Sequence, residues 1–221
     1  MKKIYIILSI LLLTLSNQVS AQGIIHNDTT VQNSAYLKAG IEPATMLTLG
    51  YQHKLALPII KQDIVTYAEL GFSIASIKNN ELKVGGILPI VEKGNFKIMN
   101  NLNLSYGSVS TINFNSKKFA VADEVALGIY KAKWCLAATI EYEKIYLNYI
   151  ENSSFYKETF YEDAVDGWYK GAGGMFQIGI EVGKTFYKKY DVNLEIKMPF
   201  SEGFNGYLSP AHANLVIGYR F

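Results

Sequence analysis

The 221-residue sequence has a single cysteine, a single arginine and only five prolines. One cysteine, Cys135, excludes an intrachain disulfide framework and a CxxC metal site, and we interpret it as an inert small side chain. Charged residues make up 18% of the chain and the net charge is +2, which gives no electrostatic basis for nucleic-acid binding. After residue 22 no run of 18 apolar residues occurs, so no transmembrane helix is expected there.

The first 21 residues have the pattern of a secretory signal peptide. Two lysines precede an apolar run at 4–15, and small residues stand before Gln22. We expect cleavage after about Ala21, with a retained N-terminal anchor helix as the alternative. Residues 22–33 are then a flexible periplasmic tail, and 34–221 form one domain. The only cysteine is at position 135, so no lipobox cysteine follows the signal and a lipoprotein anchor is not expected.

From Ser34 onward the dominant period of hydrophobicity is two, the period of a β-strand. In 191–199, for example, apolar residues alternate with Asn193, Glu195 and Lys197. No long stretch has the i, i+3, i+4 spacing of apolar residues that predicts a helix. The pattern predicts ten strands, with eight if one hairpin is lost: 35–42, 45–53, 64–75, 81–90, 95–106, 118–130, 134–149, 174–186, 191–199 and 214–221.

The connections between these strands differ in length on the two sides. If the mature N-terminus starts in the periplasm, the inner turns are 54–63, 92–95, 131–133 and 188–190, and the longer outer loops include 107–117, 150–171 and 200–210. Short turns on one side and long loops on the other are typical of bacterial outer-membrane barrels. We therefore predict an all-β fold, an up-and-down antiparallel transmembrane β-barrel. A soluble ligand-binding barrel is a minor alternative.

The polar faces of the predicted strands carry charged residues of both signs, interspersed with small residues. Such faces suit a crowded polar lumen in which opposite charges pair across strands. Aromatic residues near strand ends are expected to form interfacial girdles: Tyr51, Phe96, Tyr106, Phe119, Tyr130, Trp134, Phe186, Tyr187, Tyr207 and Tyr219. The predicted lumen network consists of Lys38, Glu69, Lys83, Lys97, Glu124, Glu141, Glu143, Glu181, Glu195, Lys197 and Arg220.

The chain ends on Tyr219-Arg220-Phe221, after Leu215 and Ile217 at alternate positions. This ending resembles the C-terminal signal of bacterial outer-membrane barrels, although the glycine that many such signals carry upstream is not in its usual place. The Lys-rich, Arg-poor, Tyr- and Asn-rich composition resembles small barrels of the Bacteroidota type. The resemblance implies location in the cell outer membrane, contact with its lipid, and recognition of the last strand, chiefly Tyr219 and Phe221, by the barrel-assembly machinery.

Three polar residues fall on the lipid-facing side of their predicted strands. These are Asn100, Asp123 and Lys144, and a charge on that face is unfavourable. We expect a β-bulge at Asp123-Glu124 to shift the phase of its strand. Lys144 is expected at a membrane interface.

Two clusters raise the question of catalysis. His212 with Ser209 and Glu202 suggests a hydrolase or acyltransferase site at the outer rim, but no nucleophile motif accompanies it. Glu141, Glu143 and Glu124 could form an acid/base or cation site. We favour the simpler interpretations: His212 as a residue of a loop–strand junction, and the carboxylates as partners of Lys97 and Lys83. The sequence predicts no enzyme activity, no metal site and no cofactor.

The most distinctive segment is the loop 150–171, which combines five acidic residues with two lysines and six aromatic residues. Exposed aromatics with adaptable polar neighbours are typical of binding surfaces, although the same side chains could fold over the barrel mouth. We predict a non-enzymatic barrel with a largely filled lumen, whose surface loops bind an unknown partner or ligand; a rim enzyme and a narrow small-solute pore are the alternatives. The predicted binding residues are Phe155, Tyr156, Phe160, Tyr161, Trp168 and Tyr169.

Overall fold

The computed structural model describes residues 31–41, 45–57, 62–171, 173–202 and 211–221. The predicted signal peptide lies outside the described residues. No helix in these ranges is long and apolar enough to cross a membrane.

Ten long antiparallel strands close into a single barrel in up-and-down order, because the first strand pairs with the last and every other strand pairs with its neighbours. The predicted fold class and the strand number of ten are confirmed. An eleventh, short strand pairs only with the far end of the seventh. The elements are β1 (Asn33–Ile41), β2 (Thr45–Leu57), β3 (Gln62–Ser73), β4 (Ser76–Lys93), β5 (Phe96–Ser110), β6 (Phe114–Lys131), β7 (Trp134–Asn152), α1 (Ser154–Thr159), β8 (Gly167–Lys170), β9 (Gly174–Phe186), β10 (Tyr190–Ser201) and β11 (His212–Arg220).

The strands place their apolar side chains outside and their polar side chains inside. In β11, Leu215 and Ile217 are exposed whereas Asn214 and Arg220 are buried. This arrangement is the inverse of a soluble barrel, in which the apolar face fills the interior. Alternation at period two specifies the two faces, because successive side chains of a strand point to opposite sides of the sheet.

The two ends of the barrel differ. One end, called the inner end here, carries the start of β1, the end of β11 and short turns at 94–95, 132–133 and 187–189. The opposite end is called the outer end. The strands β4, β6 and β7, which extend furthest toward it, are 18, 18 and 19 residues long. A tilted transmembrane strand needs only ~9–11 residues, so these strands project well beyond an apolar band of ordinary height.

The outer connections are more regular than the sequence predicted. Most of 107–117 is strand, and only 111–113 connects β5 to β6. The expected loop 150–171 contains the end of β7, the helix α1 and the strand β8. The six residues of α1 are too few to show a helical period in the sequence.

The β-bulge predicted at Asp123-Glu124 is wrong. The pairing of β6 with β7 shifts instead between Phe119 and Ala120, where β7 contributes the extra residue Tyr146, and β6 keeps its phase from Ala120 to its end. Asp123 consequently faces outward.

Candidate functional site

The eleven charged residues predicted for the lumen all occupy inward-facing positions. They are held there by alternation along nine strands, and their partners come from neighbouring and distant walls of the barrel. The ion pairs divide the lumen into a central, an outer and an inner group.

The central group is built around Lys197. Its Nζ donates to Glu124 on β6 and, at 2.6 Å, to Glu141 on β7. The amide of Gln177 donates to the other oxygen of Glu141 at 3.2 Å, and Nδ1 of His212 lies 2.9 Å from Gln177 Oε1. Lys197 and the amide of Gln177 therefore bind two of the three carboxylates that the sequence analysis singled out, Glu124 and Glu141, and His212 contacts Gln177.

A second central pair lies on the opposite wall. Lys38 Nζ is 3.2 Å from Glu69 Oε2, and the hydroxyl of Tyr36 donates to Glu69 Oε1 at 2.7 Å. All three side chains are buried. The phenolic ring of Tyr36 covers Gly50, where a Cβ would lie 2.1 Å from the ring, so glycine is required on β2 for this packing.

The predicted pairing of Lys97 with the glutamate cluster is wrong, and Glu143 has a partner that was not predicted. Glu143 pairs with Lys118 at 3.2 Å near the outer end. Lys97 pairs with Glu92 at 2.5 Å, at the inner end. The two pairs lie at different levels along the barrel axis. Because the strands are tilted and staggered, the order of residues in the sequence does not specify which side chains lie at the same level.

The inner end contains the single arginine. Arg220 Nε donates to Asp191 Oδ2 at 2.6 Å and its Nη2 donates to Asp191 Oδ1 at 2.8 Å, a bidentate pair. Thr185 donates its hydroxyl to Asp191 at 2.9 Å. The side chain of Arg220 is fully buried, so the pair joins β9, β10 and β11 beside the seam with β1.

The inner half of the lumen also contains an apolar cluster that sequence reasoning missed. Inward-facing side chains of β3 to β7 pack there, and Val31, just before β1, lies against them. Tyr130, predicted for an interfacial girdle, points into this cluster and is 2% exposed. The sequence did not indicate this cluster, because β6 carries small and apolar residues on both of its faces. The cluster comprises Val65, Tyr67, Ile87, Met99, Ala126, Tyr130, Cys135 and Ala137.

Three cavities in the described part of the lumen are small. A central cavity of about 40 Å³ is flanked by one of about 20 Å³ toward the outer end and one of about 10 Å³ beside the apolar cluster. Neighbouring cavities share lining residues: Lys38, Glu69 and Lys83 on one side, Asn101, Glu124 and Glu181 on the other. These volumes hold a few water molecules and no larger solute.

His212 and Glu202, the two described members of the hypothetical rim triad, do not meet. His212 is 3% exposed and faces the lumen beside Gln177. Glu202 lies on the outer surface, where it accepts hydrogen bonds from Tyr142 and Lys144, both at 2.7 Å. Ser209 lies outside the described residues.

The segment 153–170, called the outer lobe here, is an ordered unit above the barrel. Ser153 caps α1 by accepting a hydrogen bond from the amide of Tyr156 at 3.1 Å. Gly167 pairs with Ile150 as β8 extends the hairpin. Gly171, with φ of 61°, turns the chain toward β9 in a conformation that favours glycine.

Asp166 connects the parts of the outer lobe. Its Oδ1 accepts hydrogen bonds from the backbone and side-chain amides of Asn152, at 2.8 and 3.0 Å, and its Oδ2 accepts one from Lys157 of α1 at 2.8 Å. These donors, Lys157 first, lower the pKa of Asp166 to about 2. Sequence reasoning counted Asp166 only as one of several acids, because the contact joins residues 9 and 14 positions apart.

The aromatic side chains of the outer lobe form two groups. Phe160 packs against Phe155 and Tyr156, with both ring-centroid distances 5.9 Å. Trp168 packs against Tyr149 at 5.3 Å. Five of the six predicted binding residues are exposed, from 41% for Tyr169 to 64% for Phe160, and Tyr156 is half-buried. They do not fold over the barrel mouth to become buried.

Two polar residues of the outer surface pair with each other. The amide of Asn100 on β5 donates to Asp123 on β6 and, at 3.3 Å, to the backbone oxygen of Glu124. Both lie among apolar neighbours on the same face, with Ile98 and Leu102 flanking Asn100 and Val121 and Val125 flanking Asp123. This contact between neighbouring strands gives the two outward-facing polar side chains a hydrogen bond to each other.

The C-terminal aromatics lie at the inner end on the outer surface. Tyr219 and Phe221 stack with ring centroids 6.1 Å apart, and Tyr51 lies 6.5 Å from Phe221. The backbone of Phe221 exchanges two hydrogen bonds with Asn33, at 3.0 and 3.2 Å, which closes the barrel.

No three or more His, Cys, Asp or Glu side chains among the described residues are grouped so as to hold a metal ion.

No family model matches the chain, and no curated protein matches it. Among solved structures it is similar to the KdgM porin, at 10% identity and a TM-score of 0.40, covering 85% of this chain and 99% of that chain. It is also similar to the KdgM porin in complex with disordered oligogalacturonate, at 11% identity, a TM-score of 0.40 and the same coverage.

Proposed function

We propose that this protein is a non-enzymatic barrel of the bacterial outer membrane whose outer lobe binds a partner or ligand. The observation that supports the membrane assignment is the inversion of the faces: large apolar side chains cover the outside of all ten strands while charged pairs fill the inside. The C-terminal aromatics support recognition by the barrel-assembly machinery, and the composition supports a Bacteroidota-type barrel. Deleting Phe221 should lower the yield of membrane-inserted protein while export continues.

The outer lobe supports the binding role because it is both ordered and exposed. Its backbone is fixed by the Ser153 cap, the Asp166 contacts and the pairing of β8 with β7. Ordering a surface before binding reduces the entropy lost on association. Phe160 and Trp168 are exposed on this fixed backbone. Both residue types are enriched at binding interfaces, and tryptophan is among those that contribute most to binding energy.

A loop replacement tests this proposal. Ile150 and Gly167 face each other in the pairing of β7 with β8, so replacing 151–166 with Asn-Gly joins them through a two-residue hairpin turn. A phage-displayed dodecapeptide library selected on the refolded wild-type barrel should yield peptides that no longer bind the replacement variant or Phe160→Ala. Selected peptides that bind both barrels equally would contradict the proposal. Retained heat-modifiable migration on gels controls for folding.

A narrow pore is the second candidate, and the contiguous cavities along the lumen favour it. The apolar cluster at the inner end and the ion pairs of the central group oppose it, since both occupy the path. Single-channel recording in planar bilayers separates the two candidates, since only a pore gives stable conductance.

A further inference from the structure

We propose that the outer lobe binds an extended, basic polypeptide segment of a partner protein, which adds to β8 (Gly167–Lys170) as a further strand. This inference rests on the proposed binding role of the outer lobe and names the class of partner and the way it docks. Three features support it: β8 has a free edge, backbone groups of that edge point away from β7, and the surrounding lobe is aromatic and acidic.

The strand β8 differs from the ten barrel strands in having a neighbour on only one side. Closure of the barrel gives each long strand two neighbours, whereas β8 is the last strand in the order of the sheet and pairs only with β7. No other described strand pairs with its opposite edge. A free edge presents main-chain donors and acceptors with which another extended chain can pair.

The phase of the pairing identifies the backbone groups that occupy this free edge. The amide of Gly171 donates to the carbonyl of Tyr146 at 3.0 Å, and these two residues continue the register of the ladder, so they form a hydrogen-bonded pair. Hydrogen-bonded and non-hydrogen-bonded pairs alternate along an antiparallel ladder, so Tyr169, two positions earlier, also bonds to β7. The N–H and C=O groups of Trp168 and Lys170 therefore point away from β7, toward the free edge.

Aromatic side chains lie on both faces of β8 beside this edge. Trp168 is exposed and packs on Tyr149, its partner on β7, which agrees with the close side chains of a non-hydrogen-bonded pair. Tyr169 points to the other face, because successive side chains of a strand alternate, and it is also exposed. Aromatic residues pair favourably with β-branched residues on a neighbouring strand, so an added strand with apolar residues at alternate positions fits this edge.

The charge of the outer lobe favours a basic partner. The segment 153–170 contains four acids and two lysines, which gives a net charge of −2 at neutral pH (4 acids against 2 bases). Asp166 and Lys157 pair with each other, whereas Glu158, Glu162 and Asp163 are exposed. Complementary charge speeds association and disfavours partners of like charge. A segment of alternating basic and apolar residues therefore matches both the charge of the lobe and the edge of β8.

Amide hydrogen exchange tests strand addition directly. The probe is a capped eight-residue peptide of alternating lysine and valine, added to the refolded barrel in detergent and 150 mM NaCl, with exchange followed by NMR. In the free barrel the Tyr169 amide, which bonds to β7, should exchange slowly, and the amides of Trp168 and Lys170 should exchange quickly. Saturating peptide should slow exchange at Trp168 and Lys170 at least tenfold.

A proline substitution removes one free donor and leaves the pairing with β7 in place. Lys170→Pro deletes an N–H that points to the free edge, and edge strands tolerate proline at such positions. This variant should bind the peptide at least tenfold more weakly. Lys170→Ala is the matched variant: it keeps the N–H and removes a positive charge, so it should bind the basic peptide two- to threefold more tightly than wild type. Unchanged Trp168 fluorescence in both variants controls for the pairing of β8.

The outcomes separate this inference from the proposed function. Absence of peptide binding, equal binding to Lys170→Pro and wild type, or bound peptide without slower exchange at Trp168 and Lys170 would each overturn strand addition. In each case the library selection, with Phe160→Ala and the loop replacement, still decides whether the outer lobe binds a partner. Association of the barrel with itself in place of the peptide would make a second copy the occupant of the edge and would also overturn the proposal.

Discussion

Lys197 of β10 binds Glu124 of β6, a residue 73 positions earlier in the chain, across two intervening strands of the barrel wall. The same ammonium group binds Glu141 of β7 at 2.6 Å. One side chain thus links three strands through the lumen.

Removing this cation should destabilise the barrel strongly. Lys197→Met leaves two buried carboxylates without their shared partner, and breaking a buried ion pair in this way lowers the free energy of unfolding by about 3–5 kcal/mol. Urea titration of the refolded barrel measures the change. Lys144→Met is the control, since the Lys144–Glu202 pair lies on the outer surface and its loss should have little effect. Equal losses of stability in the two variants would show that the buried Lys197 pairs stabilise the barrel no more than the surface pair of Lys144 does.

Removing the outward-facing pair Asn100 and Asp123 should stabilise the barrel. Replacing both Asn100 and Asp123 by leucine removes polar groups from a face that is otherwise apolar, so we expect the free energy of unfolding in lipid vesicles to rise by about 1–2 kcal/mol. Val125→Asp, two positions along β6 on the same face, should lower it. A loss of stability in the double variant would mean that this part of the surface does not contact lipid.

The outer lobe should depend on acid pH through Asp166. Its pKa is lowered to about 2, below the unfolded value, so its stabilising contacts are complete above about pH 4 and are lost as the pH falls toward 2. Trp168 fluorescence should report this transition, and Asp166→Asn should show a disordered-lobe signal already at neutral pH. A pH-independent signal in wild type between pH 5 and 2 would contradict the role given to Asp166.

The alternation of apolar and polar residues predicted which side chains of each strand face outward. A shift of one residue would move every side chain to the other face, so the pattern allows only one assignment. It could not predict which residues meet across strands. The contact of Asn100 with Asp123 and the bridge from Lys197 to Glu124 both depend on strand pairing and on height around the barrel. Tyr130 shows the same limit: an aromatic residue near a strand end looks alike whether it faces lipid or the lumen, and only the phase of β6 decides that it points inward.

The apolar cluster at the inner end should keep the barrel closed to ions. In planar bilayers we expect no stable conductance from wild type, because Tyr130 and Met99 fill the path below the central cavity. The double variant Tyr130→Ala, Met99→Ala should open small, steady channels. Ala213→Gly, which changes an outward-facing residue, should remain closed. Stable conductance in wild type would support the narrow pore instead.

The central claim is that the apolar faces of the ten strands meet lipid. Site-directed spin labelling tests it directly, with Cys135 replaced by alanine and single cysteines placed in turn at positions 213 to 218 of β11 in lipid vesicles. Accessibility to oxygen, which dissolves in lipid, should be high at 215 and 217 and low at 214, 216 and 218, while a water-soluble nickel reagent should reach none of these positions freely. Nickel accessibility at 215 and 217 would show that water, and not lipid, covers this face, and would contradict the account.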